Sequence, residues 1–118
     1  MVGIAPSRIL QVCSSLAWGG TEMHVPLLSH ELLDRGHDVH IVLHPDGAIS
    51  EEVSRLNIPS TSIEIGRYVD PLSTYMLHQL IKRFRPHIIH LHLSRDLWQT
   101  VPASLLAGFK GPIILTKH

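Results

Sequence analysis

A glycine pair set between an apolar run and a helical pattern limits what this chain can become. Ile9-Leu10-Gln11-Val12-Cys13 reads as a short buried strand, and Trp18-Gly19-Gly20-Thr21-Glu22 as a tight turn. Residues 23–35 then repeat apolar side chains at helical spacing. A glycine turn leading from a buried strand into a helix N-terminus is a ready anion site at the top of an α/β sheet. The first turn of a helix carries unpaired N–H groups and a partial positive charge. Glycine removes the Cβ that would hold a phosphate or sugar away from the backbone. Gly19 and Gly20 are read as ligand contacts on that ground. Thr21 reads first as the N-cap of the helix and second as a ligand contact. Glu22 suits the helix dipole whatever else it does. The spacing does not fit G-x-G-x-x-G, which speaks against the usual dinucleotide fingerprint.

The rest of the chain alternates in the same way. Residues 38–43 form a second strand, entered through Gly36 as the C′ residue of the first helix. Asp46-Gly47 marks a turn, Ser50 resembles an N-cap, and the short helix that follows stops near Asn57 because Pro59 disfavours helix at Ile58. Residues 61–65 alternate and are β-branched, a third strand. Asp70-Pro71 is the clearest helix start, an Asp N-cap with Pro at N1. Leu72, Met76, Leu77, Leu80, Ile81 and Phe84 then make one apolar stripe, ended by Pro86. Residues 87–92 are the fourth strand, 97–107 a helix closed by Gly108, and 112–116 the fifth strand. Pro26 and Pro102 fall within expected helices and predict a late start or a kink.

Five strands separated by helices imply an α/β fold, a Rossmann-like three-layer α/β/α sandwich whose parallel sheet has the order 3-2-1-4-5. The ligand crevice of such a sheet lies at the carboxyl ends of strands 1 and 4, where the order reverses. The Gly19-Gly20 loop, residues 92–95 and His118 all fall at that end. His90 and His92 are two apart on a strand and share a face. His90 reads as a hydrogen-bonded core histidine, whereas His92, nearer the carboxyl end, stands open between core and site. Ser94 reads as a cap of the fourth helix or, at the mouth of the crevice, as a substrate contact. Asp96 reads as a first-turn acid.

Composition narrows the classes. The chain has 118 residues, 44% hydrophobic and 17% charged, which suits one globular domain. Ten basic and ten acidic side chains balance, so nothing points to nucleic acid or an anionic membrane surface. Peripheral membrane association is expected only through segments outside this chain. Cys13 is the single cysteine and reads as a small core residue. No apolar run nears the roughly 20 residues of a membrane span, residues 1–7 are too short for a secretory signal, and a cytoplasmic protein is the default. The ten histidines are scattered, with no HExxH and no CxxC, so neither a metal nor a cofactor is expected.

The string Gly19-Gly20-Thr21-Glu22-Met23-His24, with Leu32-Leu33-Asp34-Arg35-Gly36-His37-Asp38-Val39, resembles the N-terminal domain of retaining GT-B glycosyltransferases of the family 4 type. Leu56-Asn57-Ile58-Pro59, Arg85-Pro86-His87-Ile88-Ile89-His90-Leu91-His92 and Gly111-Pro112-Ile113-Ile114-Leu115-Thr116-Lys117-His118 continue the likeness to the chain end. The resemblance implies a single Rossmann-like domain over residues 1–118, the acceptor-side half of an enzyme that transfers sugar from a nucleotide-sugar to an acceptor hydroxyl with retention. It implies that the loop matching Gly19 and Gly20 approaches the donor diphosphate and that the histidine matching His118, the catalytic candidate, lies beside the transferred sugar. Thr21, His92 and Ser94 complete the expected substrate-binding set. In the family a second Rossmann-like domain chiefly holds the sugar nucleotide, and none of it is in this sequence. The chain is therefore expected to be a truncated or separately encoded domain, inactive alone and prone to form a homodimer through surfaces the second half would cover. A non-catalytic nucleotide or phosphosugar-binding module is the alternative, and a His-dependent metal protein a third reading.

Overall fold

The computed structural model describes residues 6–17, 19–65 and 70–116, with residues 20 and 21 described by their backbone alone. The elements run β1 (Arg8–Cys13), α1 (Gly20–Asp34), β2 (Asp38–Leu43), α2 (Ile49–Arg55), β3 (Ser60–Ser62), α3 (Pro71–Phe84), β4 (Ile88–Leu91), α4 (Leu97–Leu106) and β5 (Ile113–Leu115). A single 3-10 turn, Ser94–Asp96, leads into α4. The strands form one parallel sheet of order β3-β2-β1-β4-β5, the order that the alternation of elements predicts.

Side-chain alternation along β1 divides the core in two. Leu10 and Val12 face α3 and α4 and pack with Val42, Leu77, Leu80, Ile81, Ile89, Leu91 and Ala103. Ile9 and Cys13 face the other way, with Val25 of α1, Ile41 and Leu43 of β2, and Ile49 and Val53 of α2. Full burial of one such aliphatic side chain contributes roughly 1.5–3 kcal/mol. Ile63 and Ile65 are almost fully buried although the β3 ladder stops at Ser62, so the expected third strand is shorter than its apolar pattern.

Several local expectations need correction. α1 starts at Gly20 and runs unbroken through Pro26, and α4 runs through Pro102, so neither proline delays its helix. Each proline leaves one carbonyl, of Glu22 and of Trp98, without an intrahelical donor. The N-cap of α2 is Ala48 and not Ser50. The α3 stripe is also rotated at its start: Leu72 is 65% and Met76 40% exposed, whereas Ser73 and Thr74 are buried. Polar bonds fix that first turn. Asp70 caps it by accepting from the Leu72 amide at 3.1 Å and from the Ser73 hydroxyl at 2.8 Å. The Thr74 hydroxyl and the Asp70 amide both donate to Oε1 of Gln99 on α4, at 2.8 and 3.2 Å.

α4 is inverted by ordinary standards. Gln99, Thr100 and Ser104 are buried with Ala103, while Trp98, Val101, Leu105 and Leu106 are exposed. Within the described residues the α1–α2 layer packs on β1 and β2, and Ile114 of β5 is left 47% exposed.

Loss of the Asp70 carboxylate removes two acceptors from the α3–α4 junction. Asp70→Ala is expected to lower unfolding stability by about 1–2 kcal/mol in denaturant titration. A change within experimental error would show that Pro71 and the Gln99 bonds hold the helix start alone.

Candidate functional site

The carboxyl ends of β1 and β4 diverge because β1 turns into α1 on one face and β4 into α4 on the other. Between them lies a hollow of about 440 Å³ lined by Ser15, Leu16, Ala17, Leu93, Ser94 and Arg95. Its size is that of a small-molecule site. A second, apolar hollow of about 570 Å³ along Leu97, Trp98, Val101 and Pro102 meets the first at Ser94.

A buried polar tie holds the two loops at a fixed spacing. The Ser14 hydroxyl donates to Oδ1 of Asp96 at 2.5 Å, and the Ser14 amide lies 3.3 Å from Oδ2. Arg95 donates from Nη2 to the Ser14 carbonyl at 2.7 Å and from Nε to the Ser14 hydroxyl oxygen at 3.0 Å. Asp96 is fully buried, and that burial pushes its carboxyl up to about 6 despite the Ser14 bonds and the Arg95 charge. Burial likewise pushes the Cys13 thiol up to about 11, so Cys13 is a protonated core residue rather than a nucleophile. The third loop at this end closes in through Gly47: a Cβ there would stand 2.8 Å from the Ser15 carbonyl oxygen, so only glycine fits.

The expected site residues divide. Gly19 is the N-cap of α1, extended at φ −160°, with no side-chain cap bond. It follows Ala17 by two residues and is not among the residues that line the hollow. Gly20 and Thr21 are the first two residues of the helix, so Thr21 is not its N-cap. Glu22, almost buried in that first turn, folds back toward Gly19, whose Cβ position is 3.2 Å from its Oε1. A carboxylate thus already faces the positive end of the dipole there. Ser94 lines both hollows, and it opens the 3-10 turn instead of capping α4. His92 is 2% exposed, with Nε2 2.7 Å from the Gln11 Oε1 and its ring centroid 4.2 Å from that of His90, and it does not line the hollow. His90 makes a hydrogen bond with the Thr116 hydroxyl, as expected, but is half-buried rather than a core residue. Trp18 and His118 lie outside the described residues. No group of three His, Cys, Asp or Glu among the described residues is arranged to hold a metal ion.

Ser14, Arg95 and Asp96 are the residues that reading by motif underrates. Their signal was positional: Ser14 is the first residue past β1, and Arg95 and Asp96 follow the end of β4, the two strands that flank the reversal.

Residues 18–118 match the family model described as Glycosyltransferase Family 4. A comparison with curated protein sequences returned no match. Among solved structures, a glycosyltransferase from Rickettsia africae is 20% identical at a TM-score of 0.76, over 95% of this chain and 30% of its own. MurG of Acinetobacter baumannii is 15% identical at 0.74, over 95% and 35%. HepE of Anabaena, solved with UDP-glucose, is 20% identical at 0.70, over 92% and 28%. At such identities the likeness shows a common fold, and the chain spans about a third of the length of these proteins. No helix among the described residues is long and apolar enough to cross a membrane.

A carboxyl with a raised folded-state pKa holds its proton more tightly in the native state than in the unfolded one. Stability is therefore lost as pH climbs from about 4 to about 6 and levels off above that. The loss assigned to Asp96 is on the order of 3 kcal/mol. Asp96→Asn removes it, so the stability difference between variant and native chain is expected to grow in the variant's favour over that window. Denaturant midpoints across pH measure this, and parallel curves for the two proteins would contradict it.

Proposed function

The chain belongs to glycosyltransferase family 4, and from that membership we propose that it is the acceptor-side half of an enzyme that moves a sugar from a nucleotide-sugar to an acceptor hydroxyl with retention. The observation that carries the reading is Gly19, the N-cap of α1 with no side-chain cap bond, within the matched residues and on the connection that leaves the carboxyl end of β1. Departure of a nucleoside diphosphate develops negative charge, which backbone N–H groups and a nearby cation stabilise. Here the first turn of α1 supplies the N–H groups and Arg95 the cation, already oriented by its two bonds to Ser14. Ser94, between the polar and apolar hollows, orients the acceptor. His118 is proposed to stand beside the transferred sugar, as family resemblance implies. No bound metal or cofactor is required by this assignment.

The distribution of work explains why one half is insufficient. Glu22 already offsets part of the α1 dipole, and a helix terminus supplies on the order of 1 kcal/mol toward an anion. A nucleotide diphosphate needs further cations, which we assign to polypeptide beyond this chain. That polypeptide would also cover the apolar outer face of α4 and the exposed Ile114. Left uncovered, these surfaces favour a two-fold dimer.

Transfer from radiolabelled UDP-glucose, the sugar nucleotide seen with HepE, is a direct assay. The purified chain, dimeric by sedimentation, is expected to give none above the protein-free control. Joined to the donor-binding half of a family 4 relative it is expected to transfer sugar, and Gly19→Val to lower that rate about tenfold or more at a temperature where the variant's melting curve shows it folded. Transfer by the chain alone, or full activity of Gly19→Val, would sink the assignment.

A further inference from the structure

The amino end of the sheet carries a third cavity, on the side of the molecule away from the crevice. It measures about 440 Å³ and is walled by Arg8 of β1, Lys82 and Arg85 at the end of α3, His87 before β4, and the segment from Gly108 to Gly111 after α4. Four of the chain's ten Lys and Arg residues meet there, and no acidic side chain lines it. For a chain of zero formal net charge this is a strong local asymmetry.

The ends of α3 and α4 account for only part of that charge. Helix C-termini attract cations, and two of them present about half a negative charge each. Four full positive charges exceed this by roughly three units. Asp38 stands opposite Arg8 in the β1–β2 ladder but does not line the cavity, and no ion pair between them is present among the described residues.

The cavity is built rather than incidental. Arg85 closes α3 in the left-handed conformation, φ 55°, and its carbonyl accepts from Nε of Arg8 at 2.7 Å. That bond pins the guanidinium while leaving its terminal nitrogens for another acceptor. Nδ1 of His87 accepts from the Arg8 amide at 2.9 Å, which places the ring proton on Nε2 as a donor. The wall opposite is pressed close: a Cβ on Gly111 would stand 2.3 Å from the His87 carbonyl oxygen, so a side chain there would force the cavity to reshape.

We propose that this cavity is an anion site for a phosphate-bearing ligand, separate from the crevice at β1 and β4. A phosphate monoester or diphosphate offers acceptor oxygens to the Arg8 fork and to Lys82 and Lys110, a pairing matched in charge and in hydrogen-bond sense. A soluble phosphorylated molecule and an anionic lipid headgroup carry the same chemistry, and the test separates them.

Inorganic pyrophosphate titrated into the ¹⁵N-labelled chain is expected to shift the amides of Arg85, His87 and residues 108–111 saturably, and less as ionic strength rises. The double variant Lys82→Gln, Lys110→Gln, exposed side chains whose loss leaves the core intact, is expected to weaken binding about fivefold or more, with Arg8→Gln behaving alike. Co-sedimentation with phosphatidylglycerol vesicles but not phosphatidylcholine vesicles, lost in the double variant, would identify the lipid source. Pyrophosphate binding without co-sedimentation would identify the soluble one. Absence of both responses, or responses unchanged in the folded variants, would overturn the proposal, whatever is found at Gly19.

Discussion

The two-sided pairing of β1 is the constraint on which this structure depends. All six of its residues pair with β2, and four of them with β4, so β1 joins the β2–β3 half of the sheet to the β4–β5 half. An inner strand of this kind must be apolar on both faces, which Ile9, Leu10, Val12 and Cys13 satisfy. The chain leaves β1 toward one face and returns to β4 from the other. The gap between their carboxyl ends is thus a consequence of connectivity and not of any loop's particular sequence. Ser14 and Asp96 then fix how wide that gap is, since their bonds join the first residue past β1 to the turn before α4.

The tie has a cost. Burying a carboxyl at this position raises its pKa because two hydrogen bonds and the Arg95 charge do not replace the water it loses. A buried aliphatic pair would be cheaper in stability. The polar tie leaves Arg95 aligned at the crevice wall, its guanidinium held by two bonds to Ser14.

Sheet order, strand parallelism and the start of α3 were legible in the sequence because each rests on local chemistry: apolar runs, Asp70 before Pro71, Gly36 and Gly108 after helices. Helix faces were less legible. In α3, Leu72 and Met76 lose their place to Ser73 and Thr74 because tertiary polar bonds rotate the first turn. Likewise α4 buries Gln99 and Thr100 and exposes Trp98 and Leu105, the reverse of what an apolar stripe predicts, with Gln99 bonded to α3. Of the residues singled out by motif, Ser94 lines the crevice hollow and Gly19 does not, while His92, left open between core and site, is buried against Gln11. The Ser14–Asp96 tie spans 82 positions of sequence, a separation that no local pattern encodes.

The most direct measurement is the map of amide signals that respond when UDP-glucose is added to the ¹⁵N-labelled chain. Weak, concentration-dependent shifts are expected in residues 19–22 and 93–96, on the two connections joined by Ser14 and Asp96. If neither loop responds at any concentration while the protein remains folded, the crevice is not the site at which this domain meets a nucleotide-sugar.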